Sequence, residues 1–359
     1  HGLVRTRDGK KMSKSVPETC IDPLESIAEH GTDALRLALI QGTGPGQDLR
    51  LYPEKMESCR RFANKIWNAG RYILLTIPLG TPTAPPEKVH SELAQWLLHG
   101  LNDLIRHSQT GLEAHRLSDV VDSLRSFFWG EFCDWYLEMD KKPERTDEDN
   151  QVLAYSYSTL LKLMHPYVPF VTEALWEQFK QPKMLAVSEW PQEQSYSFSE
   201  SHNRIELLRE AISQIRTLRE KANIGLDKKI GATLDSEKNA ELFRTHQNLI
   251  IRLARLSELE INEKTLDSSR GNLGAYFNET LASIEASAVD WKKEIESLQK
   301  KLKTESGFVE KSLKKLKNPG FLDKAPEKVI IELREKVAST EKTLEALKLQ
   351  IHELDKLVE

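Results

Sequence analysis

The sequence predicts a mainly α protein: a helical bundle, a small α+β unit and a terminal antiparallel helical hairpin. Three observations carry that prediction. Residues 53–195 read almost entirely as helices, with apolar side chains at three- and four-residue steps and proline-rich breaks at 81–86 and 165–170. From Ile330 to Val358 the same stepping is unbroken, the signature of a coiled-coil seam. Strand-like alternation is confined to short pieces such as 229–234.

In order along the chain, Leu3-Val4-Arg5-Thr6 reads as a strand, Asp8-Gly9 as its turn and Lys11–Ser15 as the loop beyond. Asp22 before Pro23 predicts a helix start, with Asp22 as N-cap and Pro23 at the first helical position. A second helix spans 33–40 and ends at a glycine-rich run. Pro53 opens a long helix through Leu75, and further helices are expected over 91–112, 116–139, 147–164 and 171–179. Residues 204–222 form an amphipathic helix with Ile205, Leu208, Ile212, Ile215 and Leu218 on one face. A strand at 229–234, a helix at 242–256 and a strand at 259–262 complete the α+β unit.

The last 70 or so residues read as a hairpin. Ile295, Leu298, Leu302, Val309, Leu313 and Leu316 form one seam, and Ile330, Leu333, Val337, Thr340, Leu344, Leu347, Ile351, Leu354 and Val358 the other. Asn318-Pro319-Gly320 ends the first helix and Ala325-Pro326 starts the second, so the two run antiparallel. From Lys292 to Lys317 there are nine lysines against four glutamates. Lys300, Lys301, Lys311, Lys314 and Lys315 belong to this stripe, which suits an RNA backbone read without sequence; a solvated helix face is the plainer reading.

Composition bounds the function. With 39% hydrophobic and 30% charged residues the chain reads as soluble, and a net charge of −4 gives no global polyanion-binding signal. Any positive surface must therefore be local. Three scattered cysteines form no CxxC pair and offer no zinc module. No apolar run reaches the ~20 residues of a membrane span. The opening at His1 without Met, directly into a strand, reads as a fragment whose upstream part is missing.

Lys11-Met12-Ser13-Lys14-Ser15 is the most informative pentapeptide. Two ammonium groups and two hydroxyls without an acid suit a loop that meets phosphate. It spells the KMSKS signature of class I aminoacyl-tRNA synthetases. Other blocks follow in order: Ile21-Asp22-Pro23-Leu24, His30-Gly31-Thr32-Asp33-Ala34-Leu35-Arg36, Gly44-Pro45-Gly46-Gln47-Asp48, and Arg61-Phe62-Ala63-Asn64-Lys65-Ile66-Trp67-Asn68-Ala69. Phe128-Trp129-Gly130-Glu131-Phe132-Cys133-Asp134-Trp135-Tyr136, His165-Pro166-Tyr167-Val168-Pro169-Phe170 and Asn318-Pro319-Gly320-Phe321 with Lys324-Ala325-Pro326-Glu327 complete the set. Through these blocks the chain resembles the valyl-tRNA synthetases along its whole length. The isoleucyl and leucyl enzymes share the earlier blocks, but the terminal hairpin resembles the valyl arm. A non-catalytic RNA-binding coiled-coil protein built from such modules is the remaining alternative.

The resemblance implies the architecture in family terms. Residues 1–52 would hold the end of the class I catalytic domain with the KMSKS loop and stem-contact region, 53–195 an anticodon-binding helical bundle, 196–288 a small α+β linker domain, and 289–359 a coiled-coil tRNA-binding arm. It implies ATP-dependent attachment of valine to tRNA(Val), with Mg2+ accompanying ATP, in a cytoplasmic, monomeric enzyme. Lys14 would be the main stabiliser of the β/γ-phosphates with Lys11 as helper. Ser13 and Ser15 would donate hydrogen bonds, and Met12 would pack against the domain. The family pattern also supports Lys65, Asn68 and Tyr72, at i, i+3 and i+7 on one helix face, as an RNA-reading set. Trp67, Phe128, Trp129, Phe132, Trp135 and Tyr136 read as an aromatic core. Arg216, Arg219 and Lys221 are weaker candidates for tRNA-backbone contacts.

The chain departs from the family after the loop. Val16-Pro17-Glu18-Thr19-Cys20 stands where the family has a residue and then Gly-Asn, so Pro17 stiffens the loop exit and Glu18 adds a negative charge. The upstream phosphate-binding H-x-G-H motif does not occur. The valine pocket and editing domain are not expected here, and the fragment alone is not expected to form valyl-adenylate.

Overall fold

The computed structural model describes residues 2–13, 20–263, 273–284 and 291–316, with 333, 334, 336, 337, 340 and 344 beyond them; of 291–298 and 301 it describes the backbone only. The chain forms two compact units, residues 1–206 and 207–359.

The first unit begins with β1 (Val4–Arg5), paired in parallel with β2 (Leu49–Arg50). The Leu3 amide donates to Asp48 Oδ1 at 2.7 Å, and Arg5 forms an ion pair with Asp48. After the Gly9 turn the chain folds back, with Met12 N donating to Val4 O at 3.1 Å and Lys11 bridged to Arg5. The strand and turn form as expected, and the described residues of the loop end at Ser13. The pairing with β2 is not legible in the sequence, because two-residue strands carry no periodicity.

Asp22 caps α1 (Pro23–His30), accepting from Leu24 N at 2.7 Å and Glu25 N at 3.2 Å, as the Asp-Pro pair predicts. Gly31, at φ 90°, then turns the chain into α2 (Thr32–Ile40). Only glycine takes that backbone region without strain.

α3 (Pro53–Thr76) buries Met56, Cys59, Phe62, Ile66, Ala69 and Ile73, a stripe at three- and four-residue steps. α4 (Glu92–Glu113) starts at the Ser91 N-cap. The helix expected over 116–139 is continuous but not uniformly α. It runs as α5 (Leu117–Ser126), a π-helix at Phe127–Tyr136, and α6 (Leu137–Met139). The wider turn packs large rings that a 3.6-residue period would not align. Phe62 meets Phe128 edge-on at 5.8 Å, and Phe132 stacks on Tyr136 at 5.9 Å and on Tyr157 at 6.1 Å.

α7 (Asp147–Met164) is buried nearly all round and carries a Thr146–Asp149 capping box. The Tyr157 hydroxyl donates to Ile66 O at 2.8 Å. α8 (Pro169–Gln178) closes the bundle; its Phe170 and Val171 amides donate to Asp33 at 3.2 and 2.7 Å.

α9 (Ser199–Lys221) leads into the second unit. There β3 (Ile230–Asp235), β4 (Leu256–Asn262), β5 (Leu273–Phe277) and β6 (Thr280–Ile284) form a sheet ordered β4-β3-β6-β5. β3 and β4 are parallel, joined through α10 (Ala240–Thr245) and α11 (Gln247–Ala254); β5 and β6 form a hairpin. Sequence periodicity predicts one helix over 242–256. Instead His246 separates two, and Arg255 at φ 56° ends the second so that Leu256 begins a strand.

Arg219 is a correction. It is 3% exposed, and its guanidinium donates to the carbonyls of Ala254, Arg255, Gly225 and Lys228 at 2.6–3.3 Å. Arg216 likewise donates to Leu253 O at 2.9 Å. Arg219 staples the end of α11 rather than facing RNA, because carbonyls at a helix C-terminus are ready acceptors for a buried guanidinium, whereas Arg216 remains exposed.

α12 (Trp291–Leu316) is the first stretch of the arm. Val309 is buried, but its seam neighbour is Ser312, at 4% exposure, while Leu313 is 37% exposed. The seam therefore runs Leu302, Glu305, Val309, Ser312, Leu316, in steps of three and four. Following apolar identity to Leu313 broke the heptad register, which geometry keeps even through polar residues. On the second stretch Val337 is buried, and Lys336 Nζ lies 5.5 Å over the Phe308 ring. The Asn318-Pro319-Gly320 turn lies outside the described residues.

Candidate nucleic-acid interface

Lys65, Asn68 and Tyr72 converge as the spacing predicts. They line one open recess of about 220 Å³, together with Ala69, Cys133, Leu137, Glu138 and Lys141. α3 supplies the first wall. The second comes from the π-helix and α6, where the widened turn sets Cys133, Leu137 and Glu138 on the recess.

The recess is charged and half-paired. Lys65 Nζ lies 3.3 Å from Asp134 Oδ1 and 5.3 Å over the Trp129 ring, so the ammonium is held in place. Lys141 donates to Glu138 at 2.6 Å. These are exposed pairs worth about 0–1 kcal/mol, which a phosphate can displace. Asn68 and Tyr72 are exposed. Burial pushes the Cys133 thiol up to about 12, so it is a wall and not a nucleophile. Asp134, Glu138 and Lys141 escape sequence reasoning, because a π-turn shifts which residues share a face.

The aromatic reading needs division. Phe128, Phe132 and Tyr136 are core, at 0–1% exposure, and Trp129 and Trp135 are half-buried. Trp67 is 41% exposed. It sits on α3 at the flank of the buried stripe, where an indole meets solvent.

Of Lys11–Ser15, the loop expected to meet phosphate, Lys11 is exposed and Ser13 half-buried. Lys14, Ser15, Val16, Pro17, Glu18 and Thr19 lie outside the described residues. On the arm, Lys300, Lys311, Lys314 and Lys315 are exposed. Lys314 Nζ pairs with Glu310 at 2.7 Å, one turn back. The side chain of Lys301 lies outside the described residues. Among the described residues no group of three His, Cys, Asp or Glu side chains could hold a metal ion, and no helix is long and apolar enough to cross a membrane.

Known proteins match in the same order. Residues 1–52 match the family described as tRNA synthetases class I (I, L, M and V), and residues 94–234 the anticodon-binding domain of tRNA ligase. Residues 290–355 match the valyl tRNA synthetase tRNA binding arm. A valine–tRNA ligase from Carboxydothermus hydrogenoformans is 35% identical over 369 aligned residues, 99% of this chain. The chain belongs to the valyl branch of the class I aminoacyl-tRNA synthetases. Valine–tRNA ligases of Staphylococcus carnosus and Clostridium acetobutylicum are 34% and 35% identical over 99% and 98% of the chain. The chain spans 42% of the length of the first of these synthetases and 41–42% of the other two. Among solved structures, the ternary complex of Agrobacterium radiobacter K84 agnB2 LeuRS with tRNA and LeuAMS overlaps 56% of this chain and 24% of its own, at 18% identity and a TM-score of 0.44. The arm match sets the valyl synthetases apart from the isoleucyl and leucyl alternatives.

Proposed function

We propose that this chain supplies the ATP loop and the tRNA-handling surfaces of a valine–tRNA ligase, which joins valine to tRNA(Val) at the expense of ATP. The observation that carries the reading is collinearity: the synthetase, anticodon-binding and arm matches follow one another over almost the whole chain. In this reading residues 1–52 meet ATP, 53–195 read the anticodon region, 196–288 link, and 289–359 brace tRNA. The setting is cytoplasmic, and the enzyme acts as a monomer.

In the first step the valine carboxylate attacks the α-phosphorus of ATP and pyrophosphate leaves. Negative charge grows on the leaving group, so ammoniums placed there stabilise the transition state more than bound ATP. Lys14 takes this role, with Lys11 assisting from the hairpin that pins its backbone to Arg5. Ser13 and Ser15 donate to phosphate oxygens or hold the loop. Mg2+ accompanying ATP would neutralise phosphate charge.

Lys65, Asn68 and Tyr72 form the RNA-reading set. The recess they share supports it, because it offers an ammonium, a carboxamide and a ring side by side. Lys300, Lys301, Lys311, Lys314 and Lys315 meet tRNA phosphates.

The test titrates this chain with tRNA(Val), tRNA(Ile) and tRNA(Leu) transcripts at low salt. Preference for tRNA(Val) is expected, with Tyr72→Ala weakening it about 5- to 150-fold. Equal affinity for all three would point to a non-selective RNA binder, and no binding would overturn the reading. In an active valine–tRNA ligase carrying this loop, Lys14→Ala should lower the adenylation rate about 100- to 1,000-fold with little change in ATP binding. Equal loss in both would remove the transition-state role.

A further inference from the structure

A second recess of about 560 Å³ opens on the first unit where α1, α2, α3 and α8 meet, and nothing above uses it. Its size falls within the ~300–1,000 Å³ of small-ligand clefts. Two large rings line it while remaining exposed, Trp67 at 41% and Phe170 at 62%. Exposed rings beside a concave surface are unusual for a packed bundle and suit stacking of a flat ligand.

The polar groups point the same way. The imidazole of His30 lines the recess and is only 7% exposed. Its Nδ1 has no hydrogen-bond partner, the nearest carboxylate oxygen, on Glu57, being 3.7 Å away. A buried ring nitrogen left in that state is unfavourable, and a ligand polar atom would relieve it. Asn64 adds an exposed carboxamide. Gly31 gives α2 no side-chain cap, so the helix's positive end opens on the recess at Thr32. Of the nearby carboxylates, Asp33 accepts from the amides of α8, Glu57 accepts from Arg60 Nε and Nη2 at 2.7 and 3.0 Å, and the exposed Glu29 lies 3.7 Å from His30 Nε2 on the other side of the ring.

We propose that this recess binds one nucleotide unit, its base unstacked against Trp67 and Phe170 and its phosphate at the first turn of α2 beside Arg60. His30 Nδ1 and the Asn64 carboxamide would meet the base edge. The chemistry is shared by a nucleotide splayed from a folded RNA and by a free mononucleotide; only the first source rests on the proposed tRNA reading.

The experiment uses the 359-residue chain and two probes, a tRNA(Val) transcript followed by anisotropy and AMP followed by saturation-transfer NMR. Trp67→Ala is expected to weaken transcript binding about 5- to 150-fold, with Trp67→Phe within about threefold of the parent. The dependence of log K on log salt should stay unchanged, because a stacked base releases no counterions. Circular dichroism confirms that these exposed-site variants fold. If the parent chain binds no transcript but binds AMP through Trp67, the recess stands with a free nucleotide as ligand and the tRNA reading falls. If it binds transcript, yet Trp67→Ala binds equally well and AMP binding does not depend on Trp67, the recess proposal is overturned and the tRNA reading stands. If neither probe binds the parent chain, both are overturned.

Discussion

Gly70 marks a close approach of α3 to α7 and α8. A Cβ there would lie 2.5 Å from both Leu175 Cδ2 and the Tyr157 hydroxyl. Gly70→Ala gains about 1 kcal/mol of helix propensity but overpacks this crossing. Net destabilisation of about 1–3 kcal/mol is expected in urea unfolding, and an unchanged midpoint would show that the crossing yields. Cys59 offers a pH test in the same helix. Burial pushes its thiol up to about 11, above the ordinary value of 9.0. The folded chain then keeps the proton over a range in which the unfolded chain has lost it. Stability from this group is therefore complete below pH 9.0 and is lost as pH rises to about 11. Cys59→Ala should flatten that alkaline decline by on the order of 2–3 kcal/mol, read as unfolding free energy at pH 8 and pH 11; equal slopes for variant and parent would refute it.

At the scale of elements, caps and seams decide. Asp33 closes the N-terminus of α8 from a distant point in the sequence, with two amide hydrogen bonds. Burial raises its carboxyl above the ordinary range, and those amide bonds pull it back. Asp33→Ala leaves the amides bare and should cost about 1–3 kcal/mol, measured by thermal unfolding; Asp33→Asn, which keeps an acceptor, should recover part of it. In the arm, the seam passes through Val309 and Ser312. Val309→Ala should lower arm stability by about 1–2 kcal/mol, whereas Leu313→Ala should stay within about 0.5 kcal/mol. Hydrogen exchange along α12 separates the two, and the reverse order would restore the seam through Leu313.

At the scale of the whole molecule, a net charge of −4 leaves polyanion binding to local stripes. Lys311, Lys314 and Lys315 are exposed on α12, and a pair with Glu310 holds Lys314 weakly. Replacing all three with Gln should reduce the slope of log K against log salt for tRNA by about two to three. An unchanged slope would mean the stripe is a solvated face. The two-unit organisation adds that the phosphate-loop hairpin and both recesses belong to residues 1–206, while the lysine stripe belongs to 207–359.

The sequence by itself determined the helical class, most helix boundaries, the Asp22 cap and the family. These follow from local physics: periodicity, capping chemistry, proline placement and short ordered motifs. It also brought Lys65, Asn68 and Tyr72 together, because residues at i, i+3 and i+7 must share a face of one helix. Tertiary structure alone decided that Arg219 is buried among carbonyls and that Trp67 meets solvent beside His30. It also decided that Asp134 and Glu138 share a wall with α3, and that Ser312 rather than Leu313 faces the arm's interior. Each of these depends on which faces of distant elements meet, and on the extra residue per turn that a π-helix inserts. Residue identity fixes a preference for burial or water, but a charge or ring goes where partners across the fold satisfy it.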